Sequence, residues 1–288
     1  RVSTRFVTVS GKGFRGRPLA LGAMRIPAAI FVTCYILASV ALPVAALALS
    51  SVMKYSSANF TAKLFTLEHY RQILTLQSFR DGLANTLLLA LLTGLICVGV
   101  GFLISLLEVR RRSRWTKAIA FISVLPVAVP GIVYGLGLIW TYLSTPLYGT
   151  IWVLLLAYTA KLLPYGVLVS RSGILQIHPE LEQSARVSGA TPLQTMVRVT
   201  MPLMKASLIA VLFFVMLMSI KELSASVLLY TQDSYVLSVL TWLYMDAGNY
   251  QFAAAVGLVQ TLIMLAVIAV TNTVFGVRLE RTLGRDVG

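Results

Sequence analysis

The stretch LANTLLLALLTGLICVGVGFLISLL, residues 83–107, decides the fold. It runs for 25 residues without a charged side chain. A helix needs about 20 apolar residues to cross a hydrocarbon core about 30 Å thick. The run is continuous rather than alternating, so the strands of a closed barrel are excluded. Five further runs of the same kind surround it. They are Pro27–Val52, Ile119–Leu143, Ile151–Val169, Ala206–Leu229 and Ala253–Val277. The first is too long for a signal peptide and lacks a small-residue cleavage site after a short core. The sequence therefore predicts an all-α polytopic membrane protein with six transmembrane helices.

Composition agrees. Of 288 residues, 58% are hydrophobic and 12% charged, and mean hydropathy is +0.84. Those values exclude a soluble enzyme, a disordered chain and a disulfide scaffold. Cys34 and Cys97 lie inside apolar runs and read as small hydrophobes. The first residue is Arg1 rather than Met, which suggests a chain that is processed, tagged or part of a longer one.

The net charge of +14 would elsewhere suggest nucleic acid. Here it is a topology signal. Six basic residues precede the first run, five follow the second, four lie in Ser170–Lys205 and three in the tail. The intervening segments on the other side hold four, all in Met53–Gly82. Cytoplasmic loops carry the excess of Lys and Arg, so both termini are expected in the cytoplasm, with anionic lipid as a further partner and nucleic acid excluded. This divides the chain into a basic segment 1–26, a permeating domain 27–277 and a tail 278–288.

Ser170–Lys205 is the longest cytoplasmic loop on this reading, and it is patterned. His178-Pro179 starts a helix, with Pro suited to the first turn and Glu180 and Glu182 to its positive end. Gly189 stops it. Thr191 then caps a second helix opened by Pro192, and Pro202 marks its far side.

The common catalytic motifs are missing or misplaced. Gly11 to Gly16 matches G-x-G-x-x-G, but Arg17-Pro18 and a membrane run follow where a dinucleotide fold needs a helix, so the match is rejected. No P-loop, H-E-x-x-H or G-x-S-x-G is present. His69 and His178 fall on opposite sides of the membrane and read as loop residues.

Lys161, Lys221 and Glu222 fall inside apolar runs. A charge at the bilayer centre costs about 2.5–3.5 kcal/mol on insertion scales, so each should face the bundle interior or water. On a continuous fifth helix, Lys221 and Glu222 point about 100° apart and do not pair with each other. Ser219 and Ser226 share the Glu222 face, and Ser224 the Lys221 face. Lys161 is the expected partner of Glu222, unless another chain supplies one. Lys161, Lys221, Glu222, Ser224 and Ser226 are thus candidates for the lining of a solute pathway, or for a structural interhelical pair. Gly131 and Gly135 form G-x-x-x-G in the third run and read as close helix packing. Pro43, Pro126, Pro130 and Pro164 remove backbone donors within spans, which is tolerated where neighbouring helices or a cavity satisfy the freed groups.

The loop carries a resemblance. Gln183-Ser184-Ala185, three residues, Gly189, nine residues, then Val199-Thr200-Met201-Pro202 resembles the EAA loop of binding-protein-dependent ABC importer permeases of type I. The spacing is intact. Gln replaces the first Glu, Ser an Ala, Val an Ile and Met a Leu, with Glu182 one place earlier as a substitute carboxylate. Leu125-Pro126 through Gly137, and Lys221-Glu222-Leu223-Ser224-Ala225, resemble the ferric-iron and 2-aminoethylphosphonate subgroup. Phe6 to Gly13 resembles the joint between the halves of its fused, twelve-span members, and the resemblance implies either the second half of such a protein or a separate subunit of the same kind.

The resemblance implies a type I permease fold in the bacterial plasma membrane, multi-pass, whose loop 179–202 couples to cytoplasmic ATP-binding-cassette subunits. The coupling residues would be Glu182, Gln183, Ser184, Ala185, Gly189, Val199 and Pro202. It implies an extracytoplasmic solute-binding protein and a second permease half as partners. ATP and Mg would be bound by the partner ATPase, with no cofactor or metal in this chain and no bond chemistry of its own. The solute would be ferric iron or a phosphonate such as 2-aminoethylphosphonate. Polyamine, sulfate or molybdate permeases are the nearest alternatives. Two other classes compete: an ion-coupled secondary transporter using Lys161, Lys221 and Glu222 as a relay, and a membrane-embedded scaffold or enzyme subunit.

Overall fold

The computed structural model describes residues 22–57, 61–111 and 113–275. The G-x-G-x-x-G stretch, the basic residues before Arg25, Arg112, the Phe6–Gly13 segment and the tail 278–288 lie outside the described residues. The chain divides into two compact units at Ala46/Leu47.

The described part of the first unit, from Gly22, is one apolar helical stretch. Helix α1 (Arg25–Ile36) passes through a π turn (Leu37–Ala41) into α2 (Leu42–Val52), whose second half belongs to the second unit. The wide turn has a local cause. Pro43 has no N–H and its ring crowds the preceding turn, and the helix relaxes by letting the Leu42 N–H donate to the Leu37 carbonyl.

The second unit begins with a short bridge between Met53 and Phe65 and helix α3 (Glu68–Thr75). His69 is a fastener there: its Nε2 lies 2.9 Å from the Met53 carbonyl oxygen, and its ring meets Phe252 edge-on. Helices α4 (Gln77–Arg111) and α7 (Ile151–Gln176) form the central pair. They touch through backbone, because a Cβ on Gly101 would sit 2.6 Å from the carbonyl carbon of Gly166. Small residues at such a crossing give van der Waals packing that lipid cannot. The Ser105 hydroxyl adds a hydrogen bond of 2.8 Å to the Val167 carbonyl.

Between them in sequence, the third apolar run is not one straight helix. Segments Arg114–Ala128, which begins with α5 (Arg114–Val124), and α6 (Gly131–Tyr142) meet at 113°. Pro126 and Pro130 supply no backbone donors, and Val129, ahead of Pro130, is forced to extended backbone at φ −96°, ψ 123°. The two prolines that the sequence marks within this run are where it breaks.

After α7 come α8 (Pro179–Val187), α9 (Pro192–Thr195), a second π turn (Met196–Thr200) and α10 (Met201–Leu203). Pro202 stands in the last turn of the second loop segment, one residue before its end at Leu203. It follows its π turn by two residues, as Pro43 does, and the Met201 N–H donates to Met196. The helix turns at Met204, where segments Pro192–Leu203 and α11 (Lys205–Ile220) meet at 75°.

The fifth run also breaks. Helix α11 stops at Ile220, Lys221 leaves helical geometry at φ −94°, ψ 6°, and only α12 (Ser226–Leu229) continues. Lys221 and Glu222 thus do not project from one continuous helix. The segment Tyr230–Phe252, expected to be a loop, contains α13 (Leu237–Asp246), whose Leu237, Ser238, Val239 and Leu240 are buried. Its ten residues are too few to span, and about 10–14 apolar residues indicate a buried or re-entrant helix. Helix α14 (Tyr250–Phe275) closes the bundle. Among the described residues four helices are long and apolar enough to cross a membrane, or six if each bent pair counts as one. One buried core joins α4, α7, α12 and α13 around Leu89, Leu154, Tyr158 and Leu229; another joins α3, α4, α13 and α14 around Ile73, Phe79 and Ala255.

Candidate functional site

Two places hold the polar residues that the sequence singles out. The first is the loop between α7 and α11. Pro179 opens α8 with Glu180 and Glu182 in its first turn. Its far end is a Schellman closure: the Gly189 N–H donates to the Arg186 carbonyl at 3.0 Å, and the Ala190 N–H to the Ala185 carbonyl at 3.0 Å. That closure needs left-handed backbone, and Gly189 sits at φ +86°. Helix α9 starts with a reciprocal capping box. The Thr191 hydroxyl accepts from the Gln194 N–H at 3.2 Å, and the Gln194 side chain accepts from the Thr191 N–H at 2.9 Å. Both helix ends are therefore fixed locally.

Glu182 faces inward and is buried. Its Oε2 lies 2.9 Å from Arg110 Nε, and its Oε1 accepts from Arg110 Nη2 at 3.1 Å and from the Thr200 hydroxyl at 3.1 Å. Arg110 Nη2 also donates to the Ile177 carbonyl at 3.3 Å. One guanidinium thus ties the ends of α4 and α7 to α8, and Glu182 carries the tie on to Thr200. Arg171 and Glu108 add a second tie from α7 to α4 at 3.4 Å. A cavity of about 740 Å³ lies beneath, lined by Leu103, Arg110, Arg111, Gln183, Arg186 and Leu193 among others. Gln183, Ser184 and Pro202 are exposed, while Ala185 and Val199 are half-buried. The crest is apolar: Val187 is 89% exposed and Leu193 65%. Arg110 and Thr200 were not singled out from the sequence. Arg110 read as one more positive charge, and nothing local marks Thr200.

The second place is a pocket of about 250 Å³ at the two span breaks. Lys161, Lys221, Glu222 and Ser224 line it with Pro126 and Val129. The expected pair is present, with Lys161 Nζ 2.7 Å from Glu222 Oε1, which also accepts from the Ala225 N–H at 3.2 Å. Lys221 is exposed and has no ion-pair partner among the described residues. Ser226 is not in the lining. It is fully buried and sits under the Glu222 main chain, its hydroxyl donating to the Glu222 carbonyl at 2.9 Å. The Tyr158 hydroxyl lies 2.6 Å from Ser226 and supports it, and Ser238 on α13 donates to the same carbonyl at 2.7 Å. Gln260 on α14 donates to the Ile220 carbonyl at 2.8 Å. The break therefore stands because tertiary donors replace the helix's own. Glycine spacing completes the approach of α6. A Cβ on Gly131 would sit 2.6 Å from Lys161 Nζ and 2.6 Å from the Ser224 Cβ, and one on Gly135 would meet Leu228 at 3.1 Å. Gly137 faces open space.

A two-helix loop tied to two long helices, together with a separate polar pocket at broken helices, suits a transport subunit. Residues 97–282 match the family described as the binding-protein-dependent transport system inner membrane component. The chain belongs to that family, the permeases of ABC importers. The permease is 27% identical over 282 residues to the ferric transport system permease protein FbpB of Actinobacillus pleuropneumoniae, covering 94% of this chain and 40% of that protein. It is 27% identical over 203 residues to the putative 2-aminoethylphosphonate transport system permease protein PhnV of Salmonella paratyphi A, covering 70% of this chain and 76% of that one. It spans about two fifths of the length of the FbpB relative. Its fold is shared with a chain of a bacterial ABC transporter involved in the import of the acidic polysaccharide alginate, at TM-score 0.70 and 19% identity over 88% of this chain and 95% of that chain. It is also shared with a chain of the MetNI methionine ABC transporter, at TM-score 0.57 and 16% identity over 71% and 95%.

Proposed function

We propose that this permease forms half of a solute pathway driven by ATP hydrolysis in partner subunits, and that the loop 179–202 is the part those subunits grip. The observation that carries the reading is the apolar crest of Val187 and Leu193 on a loop that Arg110 fastens to α4 and α7. A crest free to flex would dissipate any push, whereas one held at both helix ends by the Schellman closure and the capping box moves as a body. Rigid-body motion of the spans between two openings is the expected consequence.

In this reading both termini, the segment 1–26 and the tail 278–288, lie in the cytoplasm with the loop. A second permease half, identical, homologous or fused, completes the pathway. An extracytoplasmic binding protein delivers the solute, and ATP and Mg are held by the ATPase. Ferric iron and 2-aminoethylphosphonate, named in the relatives, are the two solute candidates. The test is co-purification. The ATPase should be retained by the parent permease and lost when Val187 and Leu193 are both changed to Asp. Retention by that double variant would sink the assignment of the loop.

A further inference from the structure

The charges around the pocket at the span breaks do not cancel. Lys161 and Lys221 bring two ammonium groups, and Glu222 brings one carboxylate. That carboxylate is already engaged by Lys161 and by the Ala225 N–H. The negative end of α11 is also occupied, because the Ser219 carbonyl accepts from the Glu222 N–H at 3.1 Å and the Ile220 carbonyl accepts from Gln260. The start of α6 adds to the positive side. Pro130 is its N-cap, the first internal bond runs from the Tyr134 N–H to the Pro130 carbonyl, and the N–H groups of Gly131, Ile132 and Val133 have no acceptor within the helix. Gly131 brings that end against Lys161.

Lys221 lies deep. Sixteen residues of α11 precede it, which is about 24 Å of helix. Among the described residues its ammonium has no counter-charge, and ionisable groups within apolar runs mark solute pathways. Ser224 presents a hydroxyl to the same pocket. At about 250 Å³ the pocket is smaller than the roughly 300–1,000 Å³ of sites for drug-sized ligands, so its occupant is small.

Resting on the reading of this chain as an importer permease, we infer that the pocket lined by Lys161, Lys221, Glu222 and Ser224 is a transit site for a small oxyanion of the phosphonate type, with Lys221 as its counter-charge. The lysine holds the anionic group by a charge-assisted hydrogen bond, while the Lys161–Glu222 pair keeps the wall of the pocket in place. A bare ferric ion meets the opposite conditions. It requires several hard oxygen donors, and the one carboxylate of the pocket is already bonded.

The experiment uses the permease assembled with its second half, ATPase and binding protein in proteoliposomes, with radiolabelled 2-aminoethylphosphonate and ferric citrate as alternative probes. ATP-dependent uptake of 2-aminoethylphosphonate should fall about tenfold or more in Lys221→Gln, the factor corresponding to one charge-assisted hydrogen bond of about 1.4 kcal/mol. Lys221→Arg should keep most of the uptake, and both variants should co-purify with the ATPase. In a Cys34→Ser background, reaction of Lys221→Cys with a negatively charged thiol reagent should slow when 2-aminoethylphosphonate is added. ATP-dependent uptake of ferric citrate that ignores Lys221→Gln would overturn the oxyanion site and leave the importer reading standing. Loss of assembly in Lys221→Gln, without protection of Lys221→Cys, would instead make Lys221 a contact to the second half and also overturn it. Absence of ATP-dependent uptake of either probe, with no ATPase retained, would remove both readings together.

Discussion

Arg110 grips Glu182 through two nitrogens, with Nε 2.9 Å from Oε2 and Nη2 3.1 Å from Oε1, across 72 residues of sequence. The pair is where the longest helix of the permease meets the loop. Breaking a buried pair by removing one partner costs about 3–5 kcal/mol, although the partial exposure of Arg110 lowers that here. Glu182→Gln and Arg110→Met should each lower the melting temperature in detergent and reduce the solute carried per ATP hydrolysed. The double change to Met at both positions should recover part of the stability but not the coupling. Equal coupling in parent and variants would show that the pair only holds the fold.

Gly189 stands at φ +86° with nothing within 4 Å of an added Cβ. Space is therefore not the obstacle; backbone conformation is. Gly189→Asn, which tolerates the left-handed region, should retain ATPase binding. Gly189→Ala should weaken the loop by about 1–2 kcal/mol, and Gly189→Val by more. All three should insert, because the position lies outside the spans. ATPase pull-down across the series checks the order, and equal retention by Asn and Val would refute it.

The Lys161–Glu222 contact of 2.7 Å invites a double-mutant cycle. Glu222→Gln leaves an ammonium among apolar side chains, and Lys161→Met leaves a carboxylate. Each single variant should assemble poorly, and the pair of changes together should assemble better than either. Sedimentation or size-exclusion profiles of the assembled complex provide the reading. Additive losses would mean that the two groups do not depend on each other.

Gly131 and Gly137 lie on the same helix and offer a matched comparison. A Cβ at 131 collides with Lys161 and Ser224 at 2.6 Å, whereas one at 137 meets open space. Gly131→Val should abolish uptake and Gly137→Val should leave it near the parent level. Uptake by both variants would show that α6 does not close against the pocket.

Much of this was legible beforehand. Six apolar runs carry their own length signal, and the loop's Pro179, Gly189, Thr191 and Pro192 act through backbone rules that a sequence displays. Lys161 and Glu222 could be matched because an isolated charge in lipid demands a partner. The break after Ile220 was not legible. Neither proline nor glycine marks it, and it depends on Ser238 and Gln260, which arrive from α13 and α14. Helix α13 was missed for a related reason: its ten residues are too few for a span, and its burial comes from packing against α14 and α4, which no local pattern displays. Arg110 was hidden among its neighbours, since a basic residue after a span has a topological meaning that masks any specific partner.

The seat beneath Glu222 has a consequence for substitution at that position. Ser226 and Ser238 donate to the carbonyl oxygen of residue 222, a group that every amino acid possesses. The kink is thereby insured against change in the side chain it displays. The bend and the ion pair are thus held separately: a change at 222 that strands Lys161 costs assembly, while the hydroxyls keep the same bend in the backbone.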